Sequence, residues 1–211
     1  MPLMKSNLQT RLCKICFNEI KDNSLLNVIN TNINVCNRCY NEIKPTFRFF
    51  QIKGYQALSI YDYDEKIQAL LYQFKGCFDI ELNTIFFERY LRELRLRYIN
   101  YVMVPVPSFD KEDDVREFNH VLEMFKGLKL PTKRLIKKTK RVKQASLTSK
   151  KRHDIRNYLE LVETPNLSNV RVLLVDDVYT TGSTMKACID LIEKLHPKKL
   201  QVLVMSKTIL K

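Results

Sequence analysis

The fold is decided by the stretch Val172-Leu173-Leu174-Val175-Asp176-Asp177-Val178-Tyr179-Thr180-Thr181-Gly182-Ser183-Thr184. Its apolar, β-branched start, residues 170–175, predicts a strand that is buried on both faces of a sheet. Two adjacent carboxylates follow, and a hydroxyl-rich turn with a glycine then opens a predicted helix over residues 183–195. A buried strand and a capped helix would explain the apolar residues and Ser183, but not the paired acids or the Thr-Thr-Gly turn.

The residues after this strand indicate a site for a ribose phosphate. Ligands of open α/β sheets bind outside the carboxyl ends of the strands, where this turn is expected. Backbone N–H groups of residues 181–184 at a helix start would form an anion nest, and the hydroxyl groups add neutral donors. Asp176 and Asp177 would repel a phosphate, so they suit hydrogen bonds from ribose hydroxyls, or Mg²⁺ held through water.

Strands and helices alternate from residue 55 onward, which predicts an α/β domain with a mainly parallel sheet flanked by helices. The predicted strands cover residues 55–63, 101–104, 170–175 and 201–205, with a short one around 135–136. The predicted helices cover residues 37–44, 64–76, 79–97, a segment that ends near 126, and 183–195. We expect two domains, residues 1–50 and residues 51–211, with the boundary within 45–54.

Four of the six cysteines form two CxxC pairs that are separated by nineteen residues: Cys13, Cys16, Cys36 and Cys39. Two such turns present four thiolates to one tetrahedral ion, and the spacing is typical of a structural Zn²⁺ site. The segment between them is polar and would hardly fold without the metal. The alternatives are unconnected reduced thiols or a redox pair. Cys77 and Cys188 lack such partners and are predicted to be core thiols.

Composition excludes several classes of protein. The chain has 211 residues, with 36 Lys and Arg against 23 Asp and Glu, so its formal net charge is +13. A hydrophobic share of 45% argues against a largely disordered chain. No apolar run approaches the roughly 18–20 residues that a membrane span needs, and residues 1–7 lack the apolar core of a secretory signal. We expect a cytoplasmic protein with reduced thiols and an anionic partner.

The positive charge is concentrated in residues 133–156, which hold eleven Lys or Arg and one acid, a local charge of +10. Residues 110–117 have the opposite sign, with five acids and two basic residues. The basic segment fits three interpretations: a solvated face, a mobile lid over a phosphorylated ligand, or a track for single-stranded DNA. The absence of aromatic residues between Lys133 and Arg152 weakens the third, although phosphate contacts alone give non-specific affinity.

The stretch 172–184 resembles the motif of type I phosphoribosyltransferases, which bind phosphoribosyl pyrophosphate (PRPP). The resemblance implies a type I phosphoribosyltransferase-like fold, in which Asp176 and Asp177 orient the ribose and its Mg²⁺ ion. The 5′ phosphate would lie on the turn formed by Thr180, Thr181, Gly182, Ser183 and Thr184.

Pyrophosphate would meet two other segments of such a site. The turn at residues 105–108 would offer its backbone N–H groups, with Pro107 and Ser108 as the candidate contacts. Arg152 in the basic segment is the candidate clamp on pyrophosphate, with Lys150 and Lys151 as alternates. No residue stands out as a general base for an acceptor, although His120 and His153 are candidates.

The whole chain resembles the ComF family (ComFC type), in which a four-cysteine knuckle precedes a phosphoribosyltransferase-like domain. Val104-Pro105-Val106-Pro107 matches the strand and turn of that family, and Arg116-Glu117-Phe118-Asn119-His120 stands where it carries Arg-Gly-Phe-Asn-Gln. Its pattern Gln-x-x-Leu…Arg…Asn is matched by Gln144, Leu147, Arg152 and Asn157. The resemblance implies a late competence protein that acts in uptake of single-stranded DNA during natural transformation, beside a helicase-like ATPase.

The chain departs from the ComF pattern at the second of these motifs. Glu117 replaces the glycine, His120 replaces the glutamine, and the approach at residues 110–114 is acidic where the family has a basic one. Two other functions remain open: a phosphoribosyltransferase of nucleotide salvage, which is a glycosyltransferase acting on PRPP, or a non-catalytic zinc-finger adapter. The adapter would bind nucleic acid or a helicase partner. The four-cysteine knuckle and the short segment after the last strand argue against salvage.

Overall fold

The structure is a computed structural model that describes residues 11–20, 34–108, 118–139 and 158–209. The strands in these residues are, in chain order, β1 (Arg48–Ile52), β2 (Tyr55–Asp62), β3 (Tyr101–Pro105), β4 (Ile136–Lys138), β5 (Leu159–Leu161), β6 (Arg171–Tyr179) and β7 (Lys199–Lys207). Strands β4 and β5 pair with each other in a small antiparallel sheet. The other five strands form one sheet that carries the candidate site.

The α-helices of the described residues are short. They are α1 (Asn37–Glu42), α2 (Glu65–Leu71), α3 (Leu91–Arg97), α4 (His120–Phe125) and α5 (Ser183–Glu193). Helix α2 begins as predicted, since the Asp64 carboxylate accepts a hydrogen bond from the N–H of Ile67 at 2.9 Å. It runs directly into a π-helical turn, Tyr72–Gly76. In the described part of the chain, no helix has both the length and the apolar character to cross a membrane.

The five-stranded sheet has the order β1-β2-β7-β6-β3. Strands β2, β7, β6 and β3 are parallel, and β1 is antiparallel at one edge. This confirms the predicted α/β fold with a mainly parallel sheet. The interior strand β6, which lies between β7 and β3, is fully buried over 172–175. Successive side chains alternate between faces, so Leu173 and Val175 belong to one apolar cluster, and Val172 and Leu174 to the other.

The four-cysteine segment shares a core with one face of the sheet. The cluster that contains Leu173 also includes Cys13, Val35, Cys39 and Ile43. Polar contacts fix the same junction: the Glu88 carboxylate accepts hydrogen bonds from the backbone N–H of Asn34 at 3.1 Å and from its side-chain amide at 2.9 Å. The guanidinium of Arg89 stacks 3.8 Å from the centre of the Tyr40 ring. The knuckle is therefore packed onto the α/β fold.

The prediction of one helix over residues 79–97 is wrong. The structure has a 3₁₀-helix at Ile80–Thr84, a run of turns, and only then α3. The turns bury the consecutive residues Ile85, Phe86 and Phe87, whereas a helix on a surface buries one face. The segment is covered from two sides. Glu88 contacts the knuckle, and the carbonyl of Phe86 accepts a hydrogen bond from the Tyr61 hydroxyl of β2 at 2.7 Å.

Two further expectations fail locally. Strand β1 was not predicted because it lies at the sheet edge and buries only Ile52, so its sequence carries no clear alternation. It joins β2 through a tight turn in which Lys53 and Gly54 have positive φ angles. Cys77, predicted as a core thiol, is exposed because it follows the end of the π-helical turn, whereas Cys188 is buried as predicted. The other predicted strands and helices are present.

We expect Glu88→Ala to loosen the knuckle from the sheet. The variant leaves the backbone N–H of Asn34 without its carboxylate acceptor at a partly buried position, so the free energy of unfolding should fall by about 1–3 kcal/mol. Urea denaturation of the metal-loaded protein measures this change.

Glu81→Ala is the matched control, because its ion pair with Lys14 also links the two segments but the Glu81 side chain is 77% exposed. The control should change the free energy of unfolding by no more than about 0.5 kcal/mol. Equal losses for the two variants would contradict the assignment of Glu88 as the anchoring contact.

Candidate ribose-phosphate site and metal centre

The acid pair lies within β6. The strand predicted to end at residue 175 continues to Tyr179, because β7 pairs with it over this length, with Asp176 opposite Val204 and Tyr179 opposite Lys207. The prediction that the acids follow the strand is therefore wrong. Strand β3 ends beside them, and the N–H of Val106 donates to the carbonyl of Val175 at 2.9 Å. The acids thus lie near the carboxyl edge of the sheet, where ligands of such folds bind.

Because successive side chains of a strand alternate, the two acids leave β6 on opposite sides, although their carboxyl groups come within hydrogen-bond reach of each other. Asp177 lies on the face of the π-helical turn and of α4, since it contacts Lys75 and His120. Asp176 lies on the face of α5, where burial and its charge raise the pKa of Cys188. The pair is adjacent in sequence but not equivalent in surroundings.

Protein groups engage both oxygens of the Asp177 carboxylate. Lys75 Nζ donates to Oδ2 at 2.6 Å, and His120 Nε2 lies 3.5 Å from the same oxygen. The N–H of Val178 donates to Oδ1 at 2.7 Å. Ser206 of β7 donates its hydroxyl to the backbone carbonyl of Asp177 at 3.4 Å. Asp177 is therefore fixed from four directions, and only 7% of its surface is exposed.

The electrostatics of the two acids diverge. Burial alone would raise the pKa of Asp177, but the Lys75 ammonium and His120 outweigh it and hold that pKa well below its usual range. Burial would lower the pKa of Lys75, yet Asp177 and Asp176 raise it. The pKa of Asp176 is raised well above its usual value by burial and by the neighbouring charge of Asp177. Asp177 and Lys75 thus form an ion pair, and Asp176 is the acid that binds protons more readily.

The hydroxyl turn folds back over the end of β6. Gly182 has a φ angle of 74°, and a side chain there would overlap the phenol ring of Tyr179. The hydroxyls of Thr181 and Ser183 lie 3.0 Å apart, and Thr180 and Thr181 are exposed. Helix α5 begins at Ser183, so the N–H groups of its first turn face the turn that was predicted to hold a phosphate.

The two segments that resemble ComF motifs meet at this edge. The Asn119 amide donates to the Ser108 hydroxyl at 3.0 Å, and its carbonyl oxygen caps α4 by accepting from the N–H of Leu122 at 2.9 Å. His120, the next residue, contacts Asp177. The structure therefore brings together the acid pair, the hydroxyl turn, Ser108 and His120. Arg152, Lys150, Lys151, His153 and the acidic stretch 110–117 lie outside the described residues.

Sequence reasoning missed Lys75. Its contact partner is 102 positions away in the chain, so no local motif links the two residues. A weaker pattern was present: Lys75 follows Leu71 by four residues, which places a charge on the otherwise apolar face of the predicted helix. A lysine in that position, directly before Gly76, indicates a buried partner.

The four cysteines form one cluster. Their sulfur atoms all lie within 4.8 Å of one another, and the Sγ atoms of Cys16 and Cys36 are 3.8 Å apart. Tetrahedral coordination with Zn–S bonds of about 2.3 Å requires sulfur separations of about 3.8 Å. The first CxxC pair lies in a small hairpin closed by a bridge between Leu12 and Glu19. The donor set and its spacing fit one thiophilic divalent ion.

The surroundings of the sulfurs favour a bound cation. Burial opposes ionisation of Cys13, but the backbone N–H groups of Cys36, Cys16 and Ile15 lower its pKa to about 7. Burial and the neighbouring thiols raise the pKa of Cys39 instead. Four thiolates at this spacing need a cation to offset their mutual repulsion.

Comparisons with known proteins relate the C-terminal part to phosphoribosyltransferases. The family model described as "Phosphoribosyl transferase domain" matches residues 119–207, which include His120, the acid pair and the hydroxyl turn. The comparison with curated proteins found no match. Together with the sheet order, the domain match confirms the predicted phosphoribosyltransferase-like fold.

Solved structures give distant similarities. The chain is 17% identical to a purine phosphoribosyltransferase from Pyrococcus horikoshii, with 60% of this chain and 72% of that chain covered and a TM-score of 0.38. It is 11% identical to a hypoxanthine phosphoribosyltransferase from Staphylococcus aureus, with 62% and 74% covered and a TM-score of 0.40. It is 12% identical to the hypoxanthine phosphoribosyltransferase of Trypanosoma cruzi, with 81% and 80% covered and a TM-score of 0.36.

Gly182→Ala should distort the hydroxyl turn. A left-handed backbone costs a non-glycine residue about 1–2 kcal/mol, and the added methyl group must also displace the Tyr179 ring. Gly54→Ala is the control, because Gly54 has a φ angle of 83° but no atom within 4 Å of the added carbon. Urea denaturation should show a larger loss for Gly182→Ala than for the control. Equal losses would show that contact with Tyr179 does not shape the turn.

Removal of the metal should destabilise the whole described fold, because the cysteines share a core with the sheet. We expect about one zinc ion per chain by elemental analysis, and less in Cys16→Ser. Chelation should lower the thermal midpoint of the sheet in the wild type. Cys77→Ser, which changes an exposed thiol outside the cluster, should alter neither quantity. A zinc-free protein with an unchanged midpoint would contradict the metal site.

Proposed function

We propose that this chain is a ComF-type competence protein that binds PRPP with Mg²⁺ in the cytoplasm and acts in uptake of single-stranded DNA during natural transformation. One observation carries the proposal: a four-thiol cluster shares a core with the sheet whose carboxyl edge bears the acid pair and the hydroxyl turn. The match of residues 119–207 to the phosphoribosyl transferase domain supports the PRPP part of it. The resemblance to ComF supplies the biological process.

The ligand would lie across the ends of β6 and β3. The 5′ phosphate would accept hydrogen bonds from the hydroxyls of Thr180 and Thr181 and from the N–H groups that open α5. A carboxylate of the acid pair would accept from the ribose hydroxyls. Pyrophosphate would approach Pro107 and Ser108, which follow β3. In this placement, neutral hydroxyls and backbone N–H groups bind the 5′ phosphate. The two carboxylates therefore lie away from the phosphate.

Mg²⁺ would arrive with its ligand. Apart from the four thiols, the described residues contain no group of three or more acidic, histidine or cysteine side chains arranged to hold an ion. Mg²⁺ commonly uses one or two carboxylates and takes its other ligands from phosphates and water, which fits the acid pair. When bound, Mg²⁺ would supply charge neutralisation for pyrophosphate.

If the site turns over, the protein acts mainly by positioning charge. Loss of pyrophosphate from C1 of the ribose leaves positive charge on the sugar, which nearby carboxylates stabilise. The hydroxyl turn would hold the far end of the sugar and so fix its orientation. We do not assign His120 as a general base for an acceptor, because its Nε2 atom faces Asp177 and its Nδ1 atom is buried.

The helicase-like ATPase and single-stranded DNA are proposed partners. One feature favours a partner at the knuckle: Phe17, in the hairpin of the first CxxC pair, has a φ angle of 58° and is 70% exposed. A large apolar side chain that is both strained and exposed is expected where another molecule contacts the protein.

The test of PRPP binding is calorimetric titration in the presence of Mg²⁺. Wild type should bind PRPP with a dissociation constant of millimolar or better, and an Asp176→Asn, Asp177→Asn double variant should bind at least about tenfold more weakly. Asp190→Asn on α5 is the control, because it removes an acid that pairs with Lys53 away from the site. Absence of binding by wild type, or equal binding by the double variant, would reject the proposal.

Pyrophosphate release separates the remaining functions. A purified protein that binds PRPP without releasing pyrophosphate supports the sensor or adapter role within competence. Efficient release with a purine or pyrimidine base would support the salvage phosphoribosyltransferase instead. Transformation frequency in a strain that carries the Asp176→Asn, Asp177→Asn variant tests the biological process directly.

A further inference from the structure

Protein groups engage the two acids of the pair unequally. Asp177 is buried and bound by Lys75, His120 and the N–H of Val178. Asp176 accepts from the N–H of Asp177 at 2.9 Å through Oδ1, and its carboxyl group also lies within hydrogen-bond reach of the Asp177 carboxyl group. Among the described residues, we find no hydrogen-bond donor to the other oxygen of Asp176, Oδ2. Protein donors therefore occupy both oxygens of the Asp177 carboxylate but only Oδ1 of Asp176.

The π-helical turn places Lys75 at the site. Helix α2 packs its apolar residues Leu70 and Leu71 in the core, and the turn that follows buries Phe74. The wider π turn directs the next residue, Lys75, toward β6, where its ammonium lies 2.6 Å from Asp177. Such π turns are rare and occur frequently at functional sites.

His120 supports the same carboxylate from α4. Its side chain is buried and its Nε2 atom lies 3.5 Å from Asp177 Oδ2. The ring of Phe118 packs 5.6 Å from that of Phe74, which ties the start of α4 to the π-helical turn. The π-helical turn and α4, which lie on the same face of the sheet, thus both contact Oδ2 of Asp177.

The charge of Lys75 matters for an anionic ligand. Two adjacent carboxylates would present a negative edge to a sugar phosphate, whose own charge is negative. A unit charge at about 6 Å, near a protein surface, interacts strongly enough to change a dissociation constant about 10- to 100-fold. Lys75 offsets the charge of Asp177 at a distance of 2.6 Å.

We propose that the two acids have different tasks: Asp176 accepts the ribose hydroxyls, whereas Asp177 is an internal anchor whose charge Lys75 neutralises so that a phosphorylated sugar can approach. Lys75 is therefore a positioning residue. It acts on the ligand through Asp177 and does not contact it. The identity of the ligand rests on the proposed function; the anchor itself does not.

The test is a double-mutant cycle between Lys75 and Asp177, with ribose 5-phosphate as the probe and no Mg²⁺ present. Lys75→Met should weaken binding about 10- to 100-fold, because Asp177 is left negative beside the ligand. Lys75→Met combined with Asp177→Asn should recover most of the affinity, since the uncompensated charge is gone. Lys75→Arg should bind within about threefold of wild type, and Asp176→Asn should lose binding.

Controls separate charge from folding. Lys66→Met removes an exposed lysine near the start of α2, whose ammonium lies 3.9 Å from the Glu42 carboxylate. This variant should leave the affinity for ribose 5-phosphate unchanged. The thermal midpoint of each variant should be recorded: Lys75→Met should lower it by at least about 4 °C, and the double variant should regain most of the loss.

The outcomes are distinct. The inference is overturned if Lys75→Met binds like wild type, if the double variant fails to recover, or if Asp176→Asn binds unchanged. Failure to recover would mean that Lys75 contacts the ligand itself. If wild type does not bind ribose 5-phosphate, the proposed function fails. The thermal midpoints then test the pairing of Lys75 with Asp177 separately. A double variant that is no more stable than Lys75→Met refutes that pairing.

Discussion

The carboxylate of Asp177, which is buried in the interior strand β6, is the constraint on which the site depends. Such a group is costly to bury without a cation and donors. The ammonium of Lys75, the imidazole of His120 and the N–H of Val178 meet that requirement. The π-helical turn after α2 and the start of α4 are therefore tied to β6 at one point. The geometry of the carboxyl edge follows from that convergence.

The knuckle and the α/β fold are joined through a shared core. Cys13 and Cys39 lie in the same apolar cluster as Leu173 of β6. The segment between the knuckle and the sheet includes Phe86 and Glu88. The knuckle contacts this segment on one side, and the sheet contacts it on the other. A metal ion bound by the four thiols would consequently be coupled to the stability of the sheet. A metal site on the surface of the protein would not need this shared core.

Local patterns predicted the sheet, and contacts distant in sequence decided the site. The apolar run at 172–175 and the cysteine spacing are local, so strand β6 and the thiol cluster could be predicted from them. The extension of β6 to Tyr179 could not, because it depends on pairing with β7. The role of Lys75 could not be predicted either, because its partner Asp177 is distant in the sequence. Both acids were assigned alike from sequence, and their different protein partners distinguish them.

The central claim is that the carboxyl edge of this sheet binds a phosphorylated ribose through the hydroxyl turn. Amide NMR of the labelled protein during titration with PRPP and Mg²⁺ tests it most directly. The account predicts that the largest shifts fall on the N–H groups of Thr181, Gly182, Ser183 and Thr184, with smaller ones at Asp176. Shifts confined to the cysteine knuckle, or no shifts at saturating ligand, would contradict the account.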